Sequence, residues 1–191
     1  SVPAKSVKEL NALAKAKPGQ INYASGGSGS SAHLNAELFK SMTGINVVHV
    51  PYKGAGPALI GFVAGEAGVG FWSVSAASQL VKAGRLRALA TTGEKRSRSL
   101  PDLPTVAEAG VPGFEASTWT GVLAPAGTPK PIIAKLHGEL TRILQLAEVK
   151  ERLAAIDFEP VGNTPEEFGT IIKKEVVKWA KVVKESGAKV D

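Results

Sequence analysis

The residues best suited to chemistry lie in one run, Ser25-Gly26-Gly27-Ser28-Gly29-Ser30-Ser31, with His33 close behind. Its three glycines let the backbone approach a ligand closely. Its four serines add hydroxyl donors without adding charge. Where such a run enters a helix, the free N–H groups and the positive end of the helix dipole form an anion site. The chemistry expected is therefore the grip of an anion by main-chain amides and hydroxyls. The competing reading is a flexible turn whose serines only cap the helix. His33 falls in the first helical turn, where it either touches a bound anion or packs against the loop.

Other chemistries fit poorly. Gly27-x-Gly29-x-x-Ala32 has the form of a dinucleotide fingerprint, but that motif needs an acidic residue about 20 positions later to hold a ribose. That region reads Val47-Val48-His49-Val50 and carries no acid. A P-loop would need Gly-Lys-Ser/Thr at its end, which is missing. No Gly-x-Ser-x-Gly elbow leads into a helix. His49 lies within an apolar strand as a packed, satisfied imidazole, and His137 sits mid-helix among charges. No two histidines have metal-ligand spacing and no acidic cluster suggests a hard cation, so no metal and no cofactor are expected. Two further places follow strands, where open parallel sheets bind ligands. At Tyr52-Lys53-Gly54, Tyr52 either lines a pocket or packs on a helix. At Phe71-Trp72-Ser73, Trp72 either walls a pocket or fills the core.

The elements that would position these residues alternate. Ser6-Val7-Lys8-Glu9 is a capping box opening a helix that stops at Lys17-Pro18-Gly19. Ile21 to Ala24 reads as a strand, and Ser31 to Met42 as a helix stopped by Gly44. Ile45 to Val50 has the nearly all-apolar pattern of a buried parallel strand, and Pro57 fits a first helical position. Val69 to Trp72 reads as a strand, Ala76 to Lys82 as a helix and Leu86 to Thr91 as a strand. Thr105-Val106-Ala107-Glu108 is a second capping box, closed by Gly110. This rhythm predicts an α/β domain with a mainly parallel sheet. After a last strand at Trp119 to Ala124, only helices follow. They are expected over Thr128 to Gln145, over Ala147 to Ala155, and after Thr164-Pro165-Glu166-Glu167. The last carries a stripe of Phe168, Ile171, Ile172, Val176, Trp179 and Val183.

Composition narrows the function classes. The 191 residues suit one domain or two small ones, and 43% hydrophobic with 21% charged residues is an ordinary globular mixture. There is no cysteine, which removes disulfides, thiolate metal sites and cysteine nucleophiles. The net charge of +6 is scattered, and no aromatics interleave with the Lys95-Arg96-Ser97-Arg98 cluster, so nucleic acid is not the expected partner. A positive field instead suits collection of small anions. No apolar run is long enough to cross a bilayer. The chain opens Ser1-Val2-Pro3-Ala4-Lys5, without Met and with no visible signal peptide, so its start is expected to be processed, cloned or internal.

Several blocks in order resemble one family. They are Asn22 to Leu34, His49-Val50-Pro51-Tyr52-Lys53-Gly54, Lys82 to Ala90, Leu103-Pro104-Thr105-Val106-Ala107-Glu108-Ala109-Gly110, and Leu123-Ala124-Pro125-Ala126-Gly127-Thr128-Pro129. Together they resemble the solute receptors of tripartite tricarboxylate transporters, the TctC or Bug family. The resemblance implies a type II periplasmic binding protein-like α/β fold, with a parallel-sheet second lobe plus the helical C-terminal part of a first lobe. Residues 1–117 would be the second lobe. Residues 118–191 would be the return strand and helices of an incomplete first lobe, the rest of which would precede Ser1. The implied function is a periplasmic receptor, not an enzyme. It would capture a small carboxylate or an aromatic acid between lobes and deliver it to membrane permease subunits. Ser25, Gly26, Gly27, Ser28, Gly29, Ser30 and Ser31 would form the ligand loop, with His33 in the same motif. Tyr52 would line the site, and Trp72 and Ser73 would hold a strand-end position that varies with ligand; many relatives carry Asp where this chain has Trp72. With half a clamp, weak affinity is expected. The uncovered stripe from Phe168 to Trp179 would promote homo-oligomers, swapped tail helices or low stability. The alternative is a small-molecule enzyme using the glycine-serine loop as its anion cradle.

Overall fold

The computed structural model describes residues 2–188. Helix α1 (Val7–Ala16) begins where Ser6 Oγ accepts the Glu9 N–H at 3.1 Å. Glu9 answers through its carboxylate, which accepts from the Lys5 N–H at 2.8 Å, one residue earlier than a standard box. Strand β1 (Asn22–Ser25), helix α2 (Ser31–Thr43), strand β2 (Val48–Pro51), helix α3 (Ala55–Ala64), strand β3 (Val69–Gly70) and helix α4 (Val74–Lys82) follow. Gly44 ends α2 in the left-handed conformation, at φ 67°.

The sheet is parallel, in the order β2-β1-β3. Tyr23 pairs with His49 on one side and Val69 on the other, and Ser25 pairs with Pro51. The chain steps from β1 outward to β2, then back across β1 to β3. Right-handed crossovers in opposite directions put α2 and α3 on opposite faces. The core gathers Val7, Leu10, Ala14, Tyr23, Phe39, Val47, Val106, Val111 and Phe114. Phe39 meets Phe114 edge to face at 5.9 Å.

Several expected strands differ. The 45–50 strand starts only at Val48, which is 47% exposed, because β2 is an outer strand of this sheet rather than a doubly covered one. β3 ends at Gly70, before Phe71 and Trp72. Of Leu86 to Thr91 only Thr91 finds a ladder partner, a single bridge to Thr105. Trp119 to Ala124 is irregular and exposed, with no ladder partner among the described residues. An extended segment becomes a strand only where a neighbour supplies backbone partners. Pro57 lies two residues inside α3, which starts at Ala55. Thr105 and Glu108 do exchange both hydrogen bonds of a capping box, at 2.9 and 3.1 Å, but close a turn and not a helix.

Helices α5 (Lys130–Leu144), α6 (Ala147–Ala155) and α7 (Pro165–Ser186) complete the chain. Thr164 and Glu167 form a reciprocal capping box at the start of α7. Two compact units result, one of Ser1–Thr118 with Trp179–Asp191, the other of Trp119–Lys178. The final turns of α7 thus group with the sheet, whereas sequence alone grouped all of 118–191. The α7 stripe does not face nothing. Trp179 packs on the core of the first unit, where Val182 is also buried. In the second unit Phe168 meets Trp119 edge to face at 5.2 Å.

Candidate functional site

Three helices, α2, α3 and α4, each start at the carboxyl end of a sheet strand, so three helix N-termini gather at one edge of the sheet. In a 2-1-3 order the ligand crevice falls between the loops leaving β1 and β3, where successive crossovers part to opposite faces. Those loops are 26–30 and 71–73, two of the segments singled out from sequence.

Loop 26–30 has a definite conformation. Gly27 and Gly29 adopt φ of 123° and 77°, a region closed to most side chains. A Cβ on Gly26 would lie 2.9 Å from the Ala55 amide nitrogen, and one on Gly27 would lie 3.2 Å from the Tyr52 carbonyl oxygen. These two glycines therefore admit the neighbouring loop at 52–55. The Tyr52 N–H donates to Ser25 O and the Gly54 N–H to Gly26 O, both at 3.0 Å. Sequence reasoning assigned their smallness to a ligand; the structure uses it for loop-on-loop packing. Ser30 caps α2, its Oγ accepting the His33 N–H at 3.4 Å. The first helical amides, those of Ser31 and Ala32, have no intrahelical acceptor. Ser28 and Ser30 are half-buried and Ser31 is exposed.

Ser25 differs from the other serines of the run. It is 0% exposed, and its Oγ donates to Gly27 O at 3.1 Å while accepting the Gly27 N–H at 3.1 Å. His49 Nε2 lies 2.6 Å from the same oxygen. A serine 2.6 Å from an imidazole has the outline of a nucleophile and base. This one is fully buried, so the pair supports the loop.

His33 is also buried. Its Nδ1 accepts the Gly29 N–H at 3.0 Å, and its ring stacks on His49 at 4.0 Å and 8°. His49 stacks in turn on Tyr23 at 4.8 Å. Below them Glu37 receives the Tyr23 hydroxyl at 2.6 Å and the Lys40 ammonium at 2.7 and 2.9 Å. Burial first, then the Glu37 hydrogen bond and charge, drives the Tyr23 hydroxyl far above its usual pKa, so it stays a donor. Sequence reasoning missed Glu37 and Lys40. The available signal was an acid four residues after His33 on the helix face shared with buried residues.

The remaining candidates are turned to local tasks. The Tyr52 hydroxyl donates to Glu66 at 2.7 Å, a bond that raises its pKa, and its ring covers Gly61. Trp72 folds its indole over Gly70 and packs on Phe62 at 5.6 Å. Its Nε1 is buried without an acceptor among the described residues. Ser73 caps α4, accepting the Ala76 N–H at 3.3 Å. No group of three or more potential metal ligands occurs among the described residues, and no described helix is long and apolar enough to cross a membrane.

Comparison with known proteins gives the setting. Residues 1–188 match the model of the tripartite tricarboxylate transporter family receptor, TctC. Protein BugT of Bordetella pertussis is 40% identical over 184 residues, which are 96% of this chain and 56% of that protein. A Pseudomonas sp. (strain P51) protein from the tcbD-tcbE intergenic region is 37% identical, with the same 96% and 56% coverage. The chain thus spans little more than half the length of these relatives. Among solved structures, an R. palustris protein with adipate superposes with a TM-score of 0.88 at 38% identity, covering 98% of this chain and 63% of that one. The periplasmic binding protein BugD superposes with a TM-score of 0.84 at 32% identity, covering 99% and 64%. MatC from Rhodopseudomonas palustris, with bound malate, superposes with a TM-score of 0.81 at 30% identity, covering 95% and 63%. A matching family model along nearly its whole length, receptor relatives and periplasmic binding folds agree with the strand-end loops described above: the chain belongs to the tripartite tricarboxylate transporter receptor family, a family of solute receptors and not of enzymes.

Proposed function

We propose that this protein is an extracytoplasmic, periplasmic receptor. It binds a small organic acid, of the dicarboxylate kind held by its adipate- and malate-bound neighbours, and hands it to tripartite-type permease subunits in the membrane. The sheet-bearing unit is one lobe of the receptor. One carboxylate rests on loop 26–30, taking hydrogen bonds from the amides of Ser28 and Ser31 and the hydroxyls of Ser28, Ser30 and Ser31; the Ser30 amide is engaged with Gly27 O at 3.2 Å. Gly26, Gly27 and Gly29 shape the loop, and Ser73 and the edge of Trp72 border the same crevice. Tyr52, tied to Glu66, contributes packing only.

One observation carries this reading: a preshaped glycine-serine loop at the carboxyl end of the central strand, followed by helical amides that lack acceptors. A carboxylate satisfies such amides with charge-assisted hydrogen bonds, and the chain's charge of +6 favours its approach. Nothing there has the exposed nucleophile and base of the enzyme alternative, since Ser25 and His49 are engaged with each other.

The test is a titration of isotope-labelled protein with adipate and with malate, followed by amide NMR. The Ser28, Ser31 and Ala32 resonances should move together and saturate. Ser31→Pro deletes one amide at a first helical position, where proline is well tolerated, and Ser30 already has the extended backbone (φ −65°, ψ 159°) that proline requires before it. That variant should bind roughly tenfold more weakly. Saturable shifts elsewhere, no shifts at millimolar acid, or unchanged affinity in Ser31→Pro would overturn the assignment.

A further inference from the structure

We infer that His33 is a positioning residue: its neutral Nδ1 holds the Gly29 amide, and so locks the ligand loop, without touching the ligand. The role assigned here rests on the ligand-binding reading of loop 26–30, but its geometry stands by itself.

Gly29 occupies φ 77°, between Ser28 and Ser30, in the part of the loop proposed to meet the acid. A left-handed glycine is the position most free to rearrange. Its N–H is directed back into the protein, to His33 Nδ1 at 3.0 Å, and not outward. An imidazole nitrogen that accepts carries no proton, so the proton of neutral His33 is on Nε2. That nitrogen lies 4.0 Å from Glu37 Oε1.

The ring is held on every side. It is on α2, where Glu37 and Lys40 are its charged neighbours. From β2 His49 stacks on it at 4.0 Å, and from β1 Tyr23 lies parallel beyond, with ring centres 6.3 Å from His33. His33 is 6% exposed, so its route to a ligand is through Gly29. Rotation of the ring would break the stack as well as the Gly29 bond.

This arrangement makes loop order conditional on the His33 protonation state. A proton on Nδ1 puts two donors face to face and expels the Gly29 amide. Glu37 and Lys40 on α2, His49 on β2 and Tyr23 on β1 are titratable groups that face it. Acidification through the His33 titration should therefore free Gly29 and weaken acid binding together.

Three measurements test this, two of them without ligand. Ring nitrogen NMR at neutral pH should show His33 with Nδ1 bare and Nε2 protonated; protonated Nδ1 would overturn the proposal. Hydrogen exchange at Gly29 should speed up at least tenfold in His33→Phe, which keeps a flat ring but no acceptor. It should stay slow in His33→Asn, whose side-chain oxygen can stand near the Nδ1 position. Equal Gly29 exchange in wild type and His33→Phe, with far-UV circular dichroism unchanged, would overturn it. If His33→Phe unfolds, the wild-type tautomer and the pH profile of Gly29 exchange still decide. Adipate titration is the third: His33→Phe should bind roughly tenfold more weakly, and His33→Asn should bind with the pH dependence removed. Slow Gly29 exchange that depends on His33, combined with no adipate binding, would sink the receptor site while leaving the loop lock intact.

Discussion

Between residues 2 and 118 the chain buries Tyr23, Phe39, Val106, Val111 and Phe114 around a parallel sheet, and threads Ser25, His33, Glu37 and His49 through polar contacts beneath one loop. Between Trp119 and Lys178 no residue is buried. Helix α5 there carries Ile132, Leu136, Leu140 and Ile143 at exposures of 38–49%, spaced as a stripe. Both stretches are amphipathic in sequence. The difference is that in the first a sheet meets the apolar faces and orients the polar groups, whereas the second has no sheet strand among its described residues and leaves its stripes exposed or half-buried. Side-chain chemistry can be aimed only where packing holds the backbone, so the candidate site is in the first unit.

The comparison breaks most readily on core truncations. Phe114→Ala, at 2% exposure, should cost about 3–5 kcal/mol of unfolding free energy. Leu136→Ala, at 49%, should cost less than about 1 kcal/mol. Urea denaturation giving equal costs would show that the two units share one core. A finer probe uses ion pairs. Glu37→Gln leaves Lys40 without its anion and weakens the Tyr23 acceptor, an expected loss of about 2 kcal/mol. Glu148→Gln in α6 breaks a pair with Arg152 whose side chains are 73% and 78% exposed, and should change stability by less than about 0.5 kcal/mol. The same denaturation series distinguishes them.

The smallest expected effect concerns pH. The Glu108 carboxyl is held below its ordinary pKa by the Thr105 N–H first and by Arg96 next. A depressed folded-state pKa contributes stability above the unfolded value, about 4.3 for glutamate, that is lost as pH falls through the folded value. Melting curves of wild type and Glu108→Gln should separate slightly near neutrality and converge in acid. A gap that persists or widens in acid would assign the turn's stability to something other than this carboxylate.

Much of this was legible in advance because it is local. The caps at Ser6, Thr105 and Thr164 and the start of α7 follow from side chains reaching amides three residues away, and the stop at Gly44 from a left-handed glycine. The glycine-serine run was visible for the same reason. Leu86 to Thr91 and Trp119 to Ala124 misled, since an apolar run says nothing of whether a neighbouring strand is available. The dual nature of the serines was invisible too. Ser25 and Ser28 are three residues apart in one motif, yet one is fully buried against His49 and the other is half-buried.

By itself, then, the order of amino acids determined the α/β rhythm, the caps at Ser6 and Thr164 and the family, because these depend on contacts within a few residues and on motifs kept in sequence. Only the tertiary structure decided what the glycines at 26 and 27 make room for, that His33 reaches back to Gly29, and that Glu37 is buried beneath Tyr23. The glycine packing brings together loops far apart in sequence, and the Tyr23–Glu37 and His33–Gly29 bonds depend on which helix face meets the sheet, which no local preference encodes.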